Sequence, residues 1–148
     1  MNHKAKILII DDEEVVRRSF LRILGSANCT AKAVATWPEL VTVMEEEPAD
    51  LVLLDLRMPD MDGMTVLRAL KERWPESEVI IITGHPTIET AKQAVALGAY
   101  DYLAKPVGPE QVIGASTAAM QHKRWALHSD DAATAAWPEP TDSLRSSS

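Results

Sequence analysis

The stretch Leu51-Val52-Leu53-Leu54-Asp55 sets four aliphatic residues in a row and ends on a carboxylate. A strand with one wet face alternates apolar and polar side chains, whereas a strand covered on both faces does not. This run is predicted to be a central strand, with its acid where the chain leaves the sheet. Lys6-Ile-Leu-Ile-Ile10, ended by Asp11-Asp12, and Val79-Ile-Ile-Ile-Thr83 repeat the pattern. Thr30 to Thr36 alternates weakly, and Asp101 to Ala104 is a short fifth strand.

Amphipathic stretches lie between these runs. Glu14 to Leu24 has helical spacing at Val15, Val16, Ser19, Phe20, Ile23 and Leu24, with Gly25 at a C-cap position. Pro38 stands early in a second helix reaching about Glu46, where its missing N–H is harmless. Met64 to Trp74 and Ile88 to Leu97, the latter closed by Gly98, form the third and fourth helices. Pro109 to about Leu127 forms the fifth, with Val112, Ile113, Ala119 and Met120 facing inward and Trp125 near its end. That Trp marks either a dimer contact or a frayed end packed back on the domain. Five strand-then-helix units indicate an α/β fold, a doubly wound parallel sheet covered on both faces.

Composition bounds the remaining choices. A chain of 148 residues, 46% hydrophobic, fits one domain. A single cysteine, Cys29, rules out a disulfide framework and suits a reducing, cytoplasmic setting. The apolar run Ile7 to Ile10 is too short for a signal-peptide core or a membrane span. A net charge of −7 argues against a nucleic-acid-binding surface. Ser129 to Ser148 is rich in Ala, Ser, Pro and acids, so the division is a domain over 1–127 and a disordered tail or linker over 128–148.

In open parallel sheets, chemistry gathers at the carboxyl ends of the strands. Those ends carry Asp11 and Asp12, Asp55, Thr83, and Lys105. Taken singly, each has a plain reading: an N-cap pair, a strand-end acid, a strand threonine, a turn lysine. Taken together, three carboxylates call for a hard cation such as Mg²⁺, which keeps several waters and accepts one or two carboxylates plus a phosphate oxygen. A carboxylate beside such an ion, with a lysine to take up phosphoryl charge, can attack phosphorus.

The order Asp11-Asp12, Asp55-Leu-Arg-Met-Pro-Asp-Met-Asp-Gly63, Ile-Ile-Ile-Thr83-Gly84 and Lys105-Pro106 resembles the response-regulator receiver family of two-component signalling, over about residues 4 to 123. Pro86-Thr-Ile-Glu-Thr-Ala through Lys105-Pro106 is similar to receivers of nitrogen-regulation-type sigma-54 activators. The resemblance implies a flavodoxin-like (βα)5 sheet of order 2-1-3-4-5. It implies Asp55 as phospho-acceptor, Mg²⁺ held by Asp11, Asp12, Asp55 and the carbonyl of Arg57, and Lys105 paired with the phosphoryl group. Asp12 would bind the ion directly and Asp11 mostly through water. Thr83 and Tyr102 would form the switch, and the Lys105-Pro106 bond would be cis. The donor would be a sensor histidine kinase or phosphotransfer protein. The face of the fourth helix, fifth strand and fifth helix would shift between states and could pair in a homodimer. Such a protein is a regulatory phospho-acceptor rather than an enzyme, and contacts neither membrane nor nucleic acid. Arg57 and His85, two residues beyond Asp55 and Thr83, are expected to flank the phosphoryl group and tune its lifetime. Residue 107 is Val where many relatives carry Phe.

Two other classes fit less well. A flavodoxin-like electron carrier needs a phosphate-cradling first loop, and Asp-Asp-Glu-Glu would repel a flavin phosphate. A haloacid-dehalogenase-type hydrolase needs Asp-x-Asp at its first strand, which Asp11-Asp12-Glu13 does not supply. A receiver serving only as a binding module would not need the full acid, Thr and Lys set. No ATPase or helix-turn-helix pattern follows, so the chain is expected to be a stand-alone receiver or one cut from a longer regulator.

Overall fold

The computed structural model describes residues 4–25, 27, 29–58 and 61–131. Five parallel strands, β1 (Ala5–Ile10), β2 (Cys29–Val34), β3 (Leu51–Asp55), β4 (Glu78–Thr83) and β5 (Asp101–Ala104), form one sheet in the order β2-β1-β3-β4-β5. Five helices connect and cover them: α1 (Glu14–Gly25), α2 (Trp37–Glu46), α3 (Gly63–Arg73), α4 (Ile88–Ala96) and α5 (Pro109–Asp131).

The missing alternation in β1, β3 and β4 has its cause in two cores. Leu8, Ile10, Val52, Leu54, Val79 and Ile81 point to one face, where Leu40 and Met44 of α2 and Leu67 and Leu70 of α3 meet them. Ile7, Ile9, Leu51, Leu53, Ile80 and Ile82 point to the other, against Phe20 and Leu24 of α1 and Val112 and Ala119 of α5. Each fully buried aliphatic side chain contributes about 1.5–3 kcal/mol, so these strands hold both layers to the sheet. Val107 is half-buried against the α1/α5 core.

Several boundaries differ from expectation for local reasons. β2 stops at Val34 because Thr36 is the N-cap of α2, its hydroxyl accepting from the Glu39 N–H. α4 stops at Ala96, with Leu97 as its C-cap and Gly98 beyond it at φ 102°, a left-handed conformation that favours glycine. Ile113 and Met120 of α5 are only half-buried. That helix runs to Asp131, past the expected end at Leu127 and into the segment expected to be a tail. The side chain of Trp125 and the tail residues 132–148 lie outside the described residues. Arg57–Met58 and Met61–Asp62 form a two-residue antiparallel ladder that no periodicity announces.

Candidate functional site

Register brings the strand-end residues together. Ile10 pairs with Leu54, so Asp11 follows on β1 at the level where Asp55 ends β3, beside the point where strand order reverses. Thr83 pairs with Ala104, which places Lys105 one step beyond the sheet.

The three acids each offer a carboxylate oxygen, all within 4.8 Å of one another. Asp11 and Asp55 are buried, and Asp12 is exposed. Lys105 Nζ lies 3.1 Å from Asp11 Oδ2 and 3.5 Å from Asp55 Oδ2. Asp11 Oδ1 accepts from the Glu13 N–H at 2.9 Å, and Asp55 Oδ1 from the Arg57 N–H at 3.1 Å. Arg17 donates to the Asp11 carbonyl at 2.8 Å, tying α1 to the site. An open cleft of about 480 Å³ lies over this group, lined by Asp12, Glu13, Asp55, Arg57, His85 and Lys105 among others.

Burial raises the Asp55 carboxyl above its usual range; the Arg57 N–H opposes this, the Asp11 charge adds to it, and Lys105 opposes it. Burial alone would lower the Lys105 ammonium, yet its hydrogen bond to Asp11 and the charges of Asp11 and Asp55 raise it. One cation against three carboxylates leaves excess negative charge, and an all-oxygen donor set with an open mouth suits a hard cation such as Mg²⁺.

The raised Asp55 has a consequence for stability in the absence of divalent cations. A carboxyl whose folded pKa exceeds its unfolded value contributes stability below the ordinary carboxylate range, and that contribution is lost as pH rises through the folded value. In chelator, Asp55→Asn will therefore be more stable than wild type at neutral pH, and the difference will vanish below about pH 4. Denaturation at both pH values checks this; equal stability at neutral pH would contradict it.

Not every expected residue faces the cleft. The buried Thr83 hydroxyl accepts from the His85 N–H at 3.1 Å. Tyr102 lies away from the acids: its hydroxyl accepts from the Thr87 N–H at 3.3 Å and shares a short hydrogen bond with Thr90 Oγ1. Thr87 and Thr90 form the capping box of α4. The Lys105–Pro106 bond is cis. Sequence reasoning passed over Glu13, Arg17, Thr87 and Thr90; only the Thr-x-x-Thr pattern of the last two carried a legible signal.

A parallel 2-1-3-4-5 sheet with acids, threonine and lysine at its carboxyl edge defines a receiver architecture. Residues 7–117 match the family model described as the response regulator receiver domain, and the chain belongs to that family. It is 39% identical over 109 residues to the NtrX-like response regulator of Rickettsia bellii, covering 72% of this chain and 23% of that protein. It is 32% identical over 116 residues to the DNA-binding transcriptional regulator NtrC of Escherichia coli K12, covering 78% and 25%. The chain thus spans about a quarter of the length of these curated relatives. The beryllofluoride-activated NtrC4 receiver domain dimer superposes with a TM-score of 0.76 at 33% identity, covering 80% of this chain and 99% of that one. No helix among the described residues is long and apolar enough to cross a membrane.

Proposed function

We propose that Asp55 accepts a phosphoryl group from the phosphohistidine of a sensor kinase or phosphotransfer protein. The observation that carries this is Lys105 Nζ set between Asp11 and Asp55 at the mouth of a three-carboxylate cleft. An ionised oxygen of Asp55 bonds to phosphorus as the P–N bond breaks and the electron pair leaves with the imidazole, giving an acyl phosphate. Lys105 neutralises phosphoryl charge. Asp11, Asp12, Asp55 and the carbonyl of Arg57 would hold Mg²⁺, which supplies further neutralisation of the phosphoryl oxygens. Incubation with a small phosphodonor tests the metal requirement: uptake will need Mg²⁺ and cease in chelator. Uptake that persists in chelator contradicts this assignment.

The phosphoryl group would draw in Lys105 and the Thr83 hydroxyl. Two charge-assisted hydrogen bonds at about 1.5–3 kcal/mol each give roughly 3–6, against about 5.5 needed to reverse a 1:99 population. Tyr102 would carry the change to α4, because its hydroxyl already belongs to that helix's cap. The face of α4, β5 and α5 would then present the output, to a partner protein, an attached effector or a second copy; Ile88 and Val95 are exposed on α4. Tyr102→Phe will speed amide exchange in the first turn of α4 and leave phosphoryl uptake unchanged, and unaltered exchange would remove Tyr102 from the switch.

Arg57 and His85 line the cleft, which supports a role for them in ordering or excluding the water that hydrolyses the acyl phosphate. Arg57→Ala and His85→Ala will each change the dephosphorylation half-life. Two unchanged half-lives would rule that role out.

A further inference from the structure

Asp11 is held at each of its polar atoms. Its N–H donates to the Val34 carbonyl at 3.2 Å, Oδ1 accepts from the Glu13 N–H at 2.9 Å, and Oδ2 accepts from Lys105 Nζ at 3.1 Å. The remaining atom, the carbonyl oxygen, accepts from Arg17 Nη1 at 2.8 Å, and Arg17 is half-buried in the first turn of α1. Asp12 is exposed, and among the described residues no hydrogen bond or ion pair holds its carboxylate. The direction of that carboxylate is therefore set by its own backbone. Because the peptide unit joining Asp11 to Asp12 is planar, a bond that fixes the Asp11 carbonyl also fixes the Asp12 N–H and the plane from which the Asp12 side chain departs.

We propose that Arg17 is a positioning residue for the three-acid site: through the Asp11 carbonyl it aims the otherwise untethered Asp12 carboxylate at the cation. This role rests on the reading of Asp11, Asp12 and Asp55 as a Mg²⁺ site. Mg²⁺ demands near-octahedral geometry and short bonds, so a carboxylate free to wander costs affinity. Water can pair with the Asp11 carbonyl in place of Arg17, but it does not hold that carbonyl in one direction. The need grows once Lys105 turns to a phosphoryl group, because Asp11 then keeps only Arg17 and its two backbone partners. The charge of Arg17 acts in the opposite sense to its hydrogen bond. A guanidinium near a cation site repels the cation, so deleting the charge tightens binding, whereas deleting a positioning bond loosens it. The sign of the change separates the two.

Mg²⁺ titrated into the whole chain and followed by the amide chemical shifts of residues 11–13 and 55–57 gives the test, with denaturation in chelator reporting stability separately. Arg17→Met, which keeps the apolar stem and loses the donor, and Arg17→Ala will each weaken Mg²⁺ by about tenfold, the lower end of what losing a partner behind a metal ligand costs. In chelator, the shifts that Arg17→Met causes near the site will centre on Asp12 and Glu13. Arg17→Lys, which restores a donor on a long stem, will recover most of the lost affinity. Unchanged or tighter Mg²⁺ binding in Arg17→Met and Arg17→Ala would overturn the proposal and leave the metal site standing. So would an Arg17→Lys variant that binds as weakly as Arg17→Met. A wild type without saturable Mg²⁺ shifts would overturn both the positioning role and the metal site.

Discussion

Gly63→Val will destabilise the domain by about 3 kcal/mol, the upper end of what overpacking costs. A Cβ at Gly63 would stand 2.5 Å from Leu56 Cα and 2.7 Å from the Leu56 carbonyl oxygen, and backbone cannot swing aside as a side-chain tip can. Gly63 also donates its N–H to that carbonyl at 3.3 Å, so the contact closes the turn between β3 and α3. Leu56 follows Asp55 directly, and the strain would be delivered next to that carboxylate. Gly25→Ala is the control: an added Cβ there meets nothing within 4 Å, and its stability will stay within about 1 kcal/mol of wild type. Denaturant midpoints separate the two, and a Gly63 variant as stable as the Gly25 one would contradict the packing account.

The second large effect falls on the switch rather than the fold. Thr83→Ala will still take up phosphoryl on Asp55, because Asp11, Asp12 and Lys105 remain. It will lose one of the two bonds that read the phosphoryl group, leaving about 1.5–3 kcal/mol of bias. From a resting population of about 1:99, that bias fills the active state only to roughly one-tenth to six-tenths. Chemical shifts of α4 in the phosphorylated variant report the population, and full conversion would remove Thr83 from the readout.

Much of this was legible in the residues. Strands buried on both faces announce themselves as unbroken aliphatic runs, and their ends then place Asp11, Asp55 and Thr83 without further geometry, whereas Lys105 follows the short, half-buried strand Asp101–Ala104. What stayed hidden depends on how loops fold back. Arg57–Met58 and Met61–Asp62 are too short to show a period. Arg17 reaches the Asp11 carbonyl from inside α1, and an ordinary helix-surface arginine has the same sequence context. Tyr102 could be named as a switch residue by resemblance, but its bond to the α4 cap required the β4–α4 turn to be in place. Thr36 reads equally as the end of a strand or the cap of a helix, and the Glu39 N–H decides it.

The central claim concerns one carboxylate. Intact-mass measurement of wild type and Asp55→Asn after incubation with a small phosphodonor and Mg²⁺ tests it most directly. The account predicts a single phosphoryl adduct on wild type and none on the variant, with the variant still folded. No adduct on wild type, or an equal adduct on both proteins, would contradict it.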